Sequence, residues 1–252
     1  MTVADGDLAN PAGAAAPPRS KRLLLVALCL LATALFVALG IWQVERRAWK
    51  LDLIARVEAR LAAPPVPAPG RADWPRITRD ADEYRRVTAT GRFLPDRAVR
   101  TTALTEKGAG SWLLVPLVTP AGDTILVNRG FVPPDWRAVP PDRGAPAGDG
   151  EGTVTVAGLL RLPEPGGGFL RSNDPAHDRW YSRDVAAIAA AKGLGDVAPY
   201  FIDADASGNR PGEPVGGLTV VTFRNHHLIY ALTWFGLALM AGYAVFRLLR
   251  ER

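Results

Sequence analysis

The sequence contains very little sulfur and very little histidine. Its 252 residues include one cysteine, two methionines and three histidines. With Cys29 as its only thiol, the chain can form no internal disulfide, no C-x-x-C redox pair and no C-x-x-C-H haem attachment. Two methionines exclude a Met-rich copper surface, and His177 lies far in sequence from His226 and His227, which argues against a multi-histidine zinc site.

The net charge of +5 does not indicate a nucleic-acid surface. Residues 42–227 carry 24 Lys/Arg and 22 Asp/Glu, so the middle of the chain is only +2 and the two short tails carry the other +3. Basic residues placed beside apolar segments are typical of membrane spans whose ends lie in the cytoplasm. We therefore predict contact with membrane lipid and no nucleic-acid partner.

Two uncharged apolar runs of 19 residues stand near the ends of the chain, Leu23 to Ile41 and Leu228 to Phe246. At about 1.5 Å per residue, each run would cover roughly the 30 Å hydrocarbon core of a bilayer. We predict transmembrane helices at 23–42 and 225–247. The alternative for the first is a signal peptide, but Trp42-Gln43-Val44 follows it instead of a small-residue cleavage site, which favours a retained anchor.

The basic tails predict the orientation of the two spans. More Lys/Arg follow the first span closely than precede it, but long segments translocate largely regardless of charge. The tails, 1–22 and 248–252, are therefore expected in the cytoplasm, the first of them disordered, with the middle of the chain outside. The N-terminal tail lacks the Arg-rich pattern of a mitochondrial transit peptide, which favours the plasma (inner) membrane of a bacterium.

The middle of the chain predicts a helix followed by a sheet. Residues 43–75 read as an amphipathic helix, Val44 to Leu61, and a Pro-rich connector; its charges are mixed in sign, which favours packing on a domain over a membrane-surface role. Residues 76–224 predict a β-rich domain with a hairpin loop at 119–123. Its expected strands are Tyr84 to Phe93, Trp112 to Val118, Thr124 to Val132, Thr153 to Leu162 and Leu218 to Phe223, with one helix at Arg183 to Lys192.

These elements predict an α+β membrane protein. Two transmembrane helices flank an extracytoplasmic domain, which is an antiparallel, partly closed sheet with a short helical insertion.

Motifs for catalysis and for metal binding are weak. There is no G-x-S-x-G elbow, no P-loop and no dinucleotide fingerprint, and the carboxylates are scattered, so an enzyme is not expected. Asp203, Asp205, Ser207 and Gly208 imitate the opening of a calcium loop, but Pro214 stands where the closing carboxylate should be, which predicts a polar turn.

A second motif, Asn128-Arg129-Gly130, follows a predicted strand. It could form a bulge that directs an arginine at a propionate or a partner's carboxylate. It could equally be a structural glycine turn with a solvated arginine, which spacing alone favours.

The paired histidines stand at the head of the second span. A lone interfacial histidine is usually solvated or a helix cap, and Trp42, Trp49 and Trp234 could be an interfacial belt. However, His227, Tyr230 or Ala231, Trp234 and Ala238 recur on one helical face. An axial imidazole above an aromatic and small-residue slot within lipid would suit a flat, apolar macrocycle.

Three separated motifs resemble one known family. Asn225-His226-His227-Leu228-Ile229-Tyr230-Ala231-Leu232-Thr233-Trp234-Phe235 is similar to the entry into the second span of the Surfeit locus protein 1 family, which assembles haem-copper cytochrome oxidase. Gly40-Ile41-Trp42-Gln43-Val44-Glu45-Arg46-Arg47-Ala48-Trp49-Lys50 resembles its first-span exit, and Leu126-Val127-Asn128-Arg129-Gly130-Phe131-Val132-Pro133 resembles its central motif.

The resemblance implies a non-enzymatic factor that places haem a in oxidase subunit I. It implies His227 as the axial ligand of the haem iron and haem A synthase as a further candidate partner. The helical face adds Tyr230 and Trp234 as cofactor-binding residues, and His226 is expected beside them as a helix cap or a supporting partner of the ligand. Two alternatives stay open. One is a scaffold that stabilises subunit I without binding haem, and the other is a two-span sensor, which the short tails disfavour.

Overall fold

The computed structural model describes residues 19–137, 152–168 and 170–250. The chain divides into two compact units, a helical one formed by residues up to Leu53 together with Phe223 onward, and a β-rich one formed by Ile54–Thr222. The helices of the described residues are α1 (Arg19–Ala62), α2 (Arg79–Asp82), α3 (Val185–Lys192) and α4 (His227–Arg250), and short 3-10 turns lie at Trp74–Arg76, Pro95–Arg97, Pro175–His177 and Ala206–Gly208.

Nine strands lie in the described part of the β-rich unit. In chain order they are β1 (Val66–Pro67), β2 (Arg86–Phe93), β3 (Val99–Thr105), β4 (Gly108–Val118), β5 (Thr124–Val132), β6 (Val154–Arg161), β7 (Gly167–Gly168), β8 (Arg171–Ser172) and β9 (Val197–Ala204). The strands β7 and β8 form a separate small hairpin. The other seven form one sheet, in the order β1-β2-β6-β9-β5-β4-β3.

This sheet closes on itself. Arg92 and Phe93 of β2 pair with Val118 and Leu117 of β4, so β2, β6, β9, β5 and β4 form a small barrel. The strands β1 and β3 extend it at the two ends of the strand order. Closure removes most free sheet edges, which are otherwise templates for pairing with other chains. The predicted partial closure is therefore confirmed.

Two hydrophobic cores use opposite faces of the same strands, because successive side chains of a strand point to opposite sides. The barrel interior holds Leu117, Val127, Tyr200 and Ile202, among others. The outer face is covered by α3 and Trp180, and Ile188 of α3 packs there with Leu114, Leu126 and Phe201 of the sheet. A strand buried on both faces reads as a continuous apolar run, as β4 and β5 do.

The sheet is mixed, so the prediction of an antiparallel sheet is wrong in part. The strands β5 and β9 pair in parallel, as do β1 and β2. A parallel pair needs a long crossover, and here β6 and α3 intervene between β5 and β9. Strand direction depends on pairing between distant residues, which local periodicity does not report.

Element boundaries follow the predictions in most places. The strand Thr124–Val132 and the loop 119–123 are confirmed, with Thr119 and Asp123 bonded across the loop. The helix predicted from Arg183 begins at Val185, where Asp184 caps it by accepting a bond from the amide of Ala187.

One predicted strand is wrong, and several observed strands lie outside the predictions. Residues 218–223, predicted as a strand, form none, whereas the long strands β3 and β9 and the two-residue strands β1, β7 and β8 were not predicted. In β3, alternation leaves only Val99, Thr101 and Ala103 buried, and these are short side chains. In β9, Pro199 and Asp203 interrupt the apolar pattern.

The Pro-rich connector belongs to the β-rich unit instead of linking to it. Val66 and Pro67 pair with β2. The carbonyl of Pro69 accepts bonds from Tyr200 Oη at 2.7 Å and from Trp74 Nε1 at 3.2 Å. The amphipathic end of α1 also joins this unit, because Val57 is buried and Arg60 donates to the carbonyls of Asp80 and Glu83. Packing of this helix on the domain is thereby confirmed for residues 54–62.

Both α1 and α4 are long and apolar enough to cross a membrane, judged by length and composition. Both helices contain the predicted apolar runs. The helix α1 starts earlier than predicted, at Arg19, and continues without a break into its amphipathic part. The parts of the predicted tails at 1–18 and 251–252 lie outside the described residues.

Candidate ligand site in the helical unit

Within the helical unit, α1 and α4 pack along narrow seams. The less exposed residues of α4 recur at alternating intervals of four and three, which is the spacing of paired helices. They are His227, Ala231, Trp234, Ala238, Ala241, Val245 and Leu248. On α1 the same spacing gives Arg22, Val26, Cys29, Thr33, Phe36, Gly40, Gln43, Arg47 and Lys50.

Contacts along the seams show that the two helices run antiparallel. Near one end Arg22 Nε donates to the carbonyl of Leu248 at 2.6 Å. Further along, Phe36 and Trp234 stack with ring centroids 5.7 Å apart. A Cβ on Gly40 would come within 2.5 Å of the Phe235 ring, so glycine is what allows this close approach. Small residues at such seams let helix backbones approach closely.

The other end of the pair holds a buried polar contact. His227 Nδ1 lies 2.7 Å from Gln43 Oε1, and Gln43 is only 9% exposed. An amide oxygen can only accept, so in this arrangement Nδ1 carries the ring proton. The second ring nitrogen, Nε2, then has a lone pair and can accept a proton or coordinate a metal.

His226 and His227 have different surroundings. His226 precedes the first residue of α4, and its carbonyl accepts bonds from the amides of Ile229 and Tyr230. His226 is exposed, whereas His227 is half-buried on the seam. The backbone of His226 therefore caps the helix, and only His227 contacts Gln43.

The structure places the predicted aromatic residues on different faces. Trp234 lies on the seam against Phe36, with Ala231 and Ala238 buried beside it. Tyr230 is 55% exposed, on the outer surface of the pair. The face that the sequence suggests as a slot is thus occupied by α1, and the open surface near His227 is the one that carries His226 and Tyr230.

One buried acceptor near the histidines has no donor. Asn225 Oδ1 is buried and makes no hydrogen bond among the described residues. An unpaired buried acceptor costs about 1–3 kcal/mol, so a donor from a ligand or from water would be favourable there. A His227 nitrogen with a lone pair, an unsatisfied acceptor two residues away and an exposed Tyr230 together fit a ligand with both a metal and polar substituents.

The Asn128-Arg129-Gly130 motif forms a bulge in the β-rich unit. Leu113 pairs with Gly130 and Leu114 with Asn128, so Arg129 is the extra residue. Gly130 has a φ of 130°, and a Cβ there would come within 2.2 Å of the Val215 backbone. The arginine is not solvated, because Arg129 Nη2 lies 3.3 Å from Glu213 Oε2. The motif is thus a structural bulge, and its arginine has an internal carboxylate partner.

Asp203 lies in a strand and not in the predicted polar turn. It is 2% exposed and is contacted by Arg161 Nη1 at 2.8 Å and Arg183 Nη1 at 3.2 Å. The rest of the motif does form a turn, in which Asp205 Oδ1 accepts a bond from the Ser207 amide. No group of three or more potential metal-ligating side chains occurs in the described ranges.

The Asp203 carboxylate is the centre of a buried network. Asn128 Nδ2 and Thr219 Oγ1 also donate to it, at 2.8 and 2.9 Å. Arg161 in turn contacts Glu83, and Arg183 contacts Glu164. Burial alone would raise the pKa of Glu164, but the hydrogen bond and charge of Arg183 outweigh it and hold that pKa below its usual 4.5. These charges are mutually paired, as a structural network requires.

Sequence reasoning missed Gln43 as a site residue, although it lies in a quoted motif. The sequence does contain an indication of this role. Gln43 is an uncharged polar residue one turn beyond Gly40 on the same face of the helix, and it must find a hydrogen-bond partner once that face is buried. Only the antiparallel register of the two helices shows that this partner is His227.

The fold and the site define a class of protein in which a small β-barrel domain is inserted between two long apolar helices, with an imidazole–amide pair between the helices. A family model described as the SURF1 family matches residues 30–239. The chain is 40% identical to Surfeit locus protein 1 of Homo sapiens over 226 residues, which cover 83% of this chain and 72% of the human protein.

Two further relatives carry names of the same family. Surfeit locus protein 1 of Xenopus tropicalis is 36% identical, over 89% of this chain and 75% of that protein. A SURF1-like protein of Monosiga brevicollis is 38% identical, over 79% of this chain and 78% of that protein. The chain belongs to the SURF1 family.

Proposed function

We propose that this protein is an assembly factor for haem-copper cytochrome c oxidase that binds haem a through His227 and assists its insertion into subunit I. Family membership supports the oxidase-assembly part of the proposal. The observation that carries the haem part is the His227–Gln43 contact, which leaves Nε2 with a lone pair at the head of an apolar helix.

The side chains around His227 have separate roles in this proposal. His227 Nε2 would hold the iron, Gln43 holds the imidazole ring, and Asn225 Oδ1 would accept a bond from a polar substituent of the macrocycle. Tyr230, exposed one turn into α4, provides an aromatic surface beside the ring. A bound haem would supply an iron that takes the lone pair of Nε2, and the apolar side chains around this nitrogen would keep water away from it. His226 acts through its backbone as the helix cap.

A bacterial plasma membrane is the proposed location, with both termini in the cytoplasm and the β-rich unit outside. The exposed apolar side chains of α1 and α4, such as Leu23 at 70% and Leu239 at 76%, favour a lipid surrounding. A reporter fused after Arg252 should report cytoplasm, and one inserted at Gly122 in the loop 119–123 should report the outer face. An outer C-terminus would refute this topology.

A second function, a scaffold for subunit I that binds no haem, is favoured by one specific observation. Trp234, Ala231 and Ala238 pack on α1, so the seam face of α4 offers no open slot. In this alternative the exposed surfaces of the two helices contact subunit I, and the His227–Gln43 bond serves only to pair the helices.

The two functions are separated by measuring haem directly. The protein is produced together with haem A synthase, purified in detergent, and its haem-to-protein ratio and Soret spectrum are recorded. The haem-to-protein ratio should fall in His227→Ala. Alanine favours the helix, which offsets part of the cost of leaving the Gln43 amide without its partner, so the helix should still insert. The matched control is His177→Ala, which removes an exposed histidine that pairs with Asp174 in the β-rich unit.

The outcomes distinguish the histidines as well as the functions. His226→Ala should reduce haem content only in part, because it removes an exposed side chain from the open surface beside His227 but keeps the backbone cap. Loss in His226→Ala with full content in His227→Ala would move the ligand by one residue. Full content in the double variant would remove haem ligation by this pair and leave the scaffold function.

A further inference from the structure

We infer that Gln43 is the positioning residue of the His227 site: it selects the Nδ1–H tautomer of His227 before any ligand arrives and makes Nε2 the coordinating atom. The inference rests on the proposed function for what Nε2 coordinates, but the tautomer itself can be tested in the ligand-free protein.

The hydrogen bond determines which nitrogen can coordinate. Gln43 Oε1 lies 2.7 Å from Nδ1, a short distance for such a bond, and an amide oxygen has no proton to donate. If the amide were turned so that its NH₂ group faced the ring, Nδ1 would be the acceptor and Nε2 would carry the proton. A protonated Nε2 has no lone pair for a metal. The orientation of one amide therefore decides whether His227 can act as a ligand.

The surroundings make this bond hard to exchange. Gln43 is only 9% exposed and lies on the seam of α1, where the neighbouring seam residues Gly40 and Phe36 are in contact with aromatic rings of α4. Little water can replace the bond there, and a buried amide left without its partner costs about 1–3 kcal/mol. The ring of His227 is thus held in one rotation and one tautomer by a partner on the other helix.

The hydrogen bond from Nδ1–H to Gln43 also affects how strongly His227 Nε2 binds a metal. An acceptor on Nδ1–H raises the electron density of the imidazole and strengthens its Nε2 as a donor, and losing such a partner commonly lowers metal affinity about ten- to hundredfold. A carboxylate at this position would pull harder on the proton than an amide does. Gln43→Glu should therefore stabilise ferric over ferrous iron and lower the reduction potential of bound haem, while Gln43→Leu should raise it.

If Gln43 only held the two helices together, its loss would have a different effect. Interhelical hydrogen bonds also hold helices together, so loss of Gln43 could weaken the pair without affecting the imidazole. A suitable control is Thr33→Val. Thr33 is also a seam residue of α1, but its hydroxyl donates to the carbonyl of Cys29 in its own helix at 2.8 Å and has no role at His227.

The test begins without haem. The full chain is labelled with ¹⁵N-histidine, purified in detergent, and the ring nitrogens are read by long-range ¹H–¹⁵N correlation. With three histidines in the chain, His177→Ala and His226→Ala identify the His227 signals. His227 should show the Nδ1–H tautomer in the parent protein and in Thr33→Val, and a mixture dominated by Nε2–H, the more stable form of a free imidazole, in Gln43→Leu. An Nε2–H tautomer in the parent protein would overturn the inference, whether or not haem binds.

The second stage titrates haem b, and then haem a, into the same proteins. Gln43→Leu should weaken binding about ten- to hundredfold relative to Thr33→Val. Gln43→Glu should retain binding with a lowered reduction potential. Equal affinities and potentials in all three variants, with the tautomer changed as expected, would leave Gln43 as a tautomer selector without effect on the ligand and overturn the second half of the inference. Absence of binding in the parent protein would contradict the proposed function alone.

Discussion

The two units of this protein differ in which polar and apolar groups they bury. The β-rich unit buries large apolar side chains such as Trp180 and Phe201 and pairs its buried charges with one another. The helical unit exposes most of its leucines, packs through small residues and one aromatic stack, and buries one amide beside an imidazole. The first arrangement is stable in water, and the second is compatible with lipid. The β-rich unit therefore derives its stability from a core, whereas the helical unit derives its specificity from a few contacts on narrow seams.

The largest expected effect concerns the extent of the β-rich unit. A fragment covering residues 54–222 should fold, with a β-rich circular dichroism spectrum that is insensitive to reductant and chelator. A fragment starting at residue 76 should not, because it lacks Val66 and Trp74, which pack on the barrel core, and leaves Tyr200 Oη without Pro69. The loss is on the order of 5 kcal/mol, comparable to the whole stability of a small domain. Equal urea midpoints for the two fragments would show that the connector is only a linker.

The next effect concerns the buried charge network. Asp203→Ala removes the carboxylate that pairs with Arg161 and Arg183, leaving two guanidinium groups short of a partner in the core. A loss of about 3–5 kcal/mol in the free energy of unfolding is expected.

The matched control for this variant is Asp196→Ala. Its carboxylate is 76% exposed and pairs with Arg71 at the surface, so a change of less than about 1 kcal/mol is expected. Both are measured by urea unfolding of fragment 54–222. Similar losses in the two variants would mean that burial does not strengthen the pairing.

A smaller effect tests the seams of the helical unit. Gly40→Leu places a side chain where the Phe235 ring already lies and should destabilise the helix pair by about 1–3 kcal/mol. Gly236→Leu adds the same bulk to α4 where no atom lies within 4 Å of the new Cβ, and should be neutral. Thermal unfolding in detergent, followed at 222 nm for the full chain, compares them. If both variants lose stability equally, the narrow contact between the helices is not what stabilises the unit.

The smallest effect is a pH dependence confined to the β-rich unit. The pKa of Glu164 is lowered in the folded state, so its contribution to stability is present above its usual pKa of 4.5 and is lost as pH falls through the lowered value. Glu164 is 40% exposed, so less than about 1 kcal/mol is involved. Glu164→Gln should flatten the dependence of the urea midpoint on pH between about 5 and 3, and an unchanged slope would contradict the assignment.

Some elements of the β-rich unit were not predicted from the sequence, for physical reasons that differ by element. The strands β4 and β5 were found because burial on both faces leaves long apolar runs. The strand β9 was missed because Asp203 is buried through its two arginine partners, which come from distant parts of the chain. The parallel pairing of β5 with β9 was missed because strand direction is decided by long-range contacts.

The local features of this protein follow from its amino-acid sequence: two apolar helices of spanning length, the turn at 119–123, the position of the histidines at the head of α4, and the three motifs of the SURF1 family. Each depends on residues close together in the chain, where spacing and side-chain type suffice. Other features are visible only in the folded protein: β5 pairs in parallel with β9, Arg129 pairs with Glu213, and Gln43 faces His227 across 184 residues of chain. Such pairings depend on which surfaces meet when each unit packs, because a buried polar group takes its partner from the facing element and not from its neighbours in the sequence.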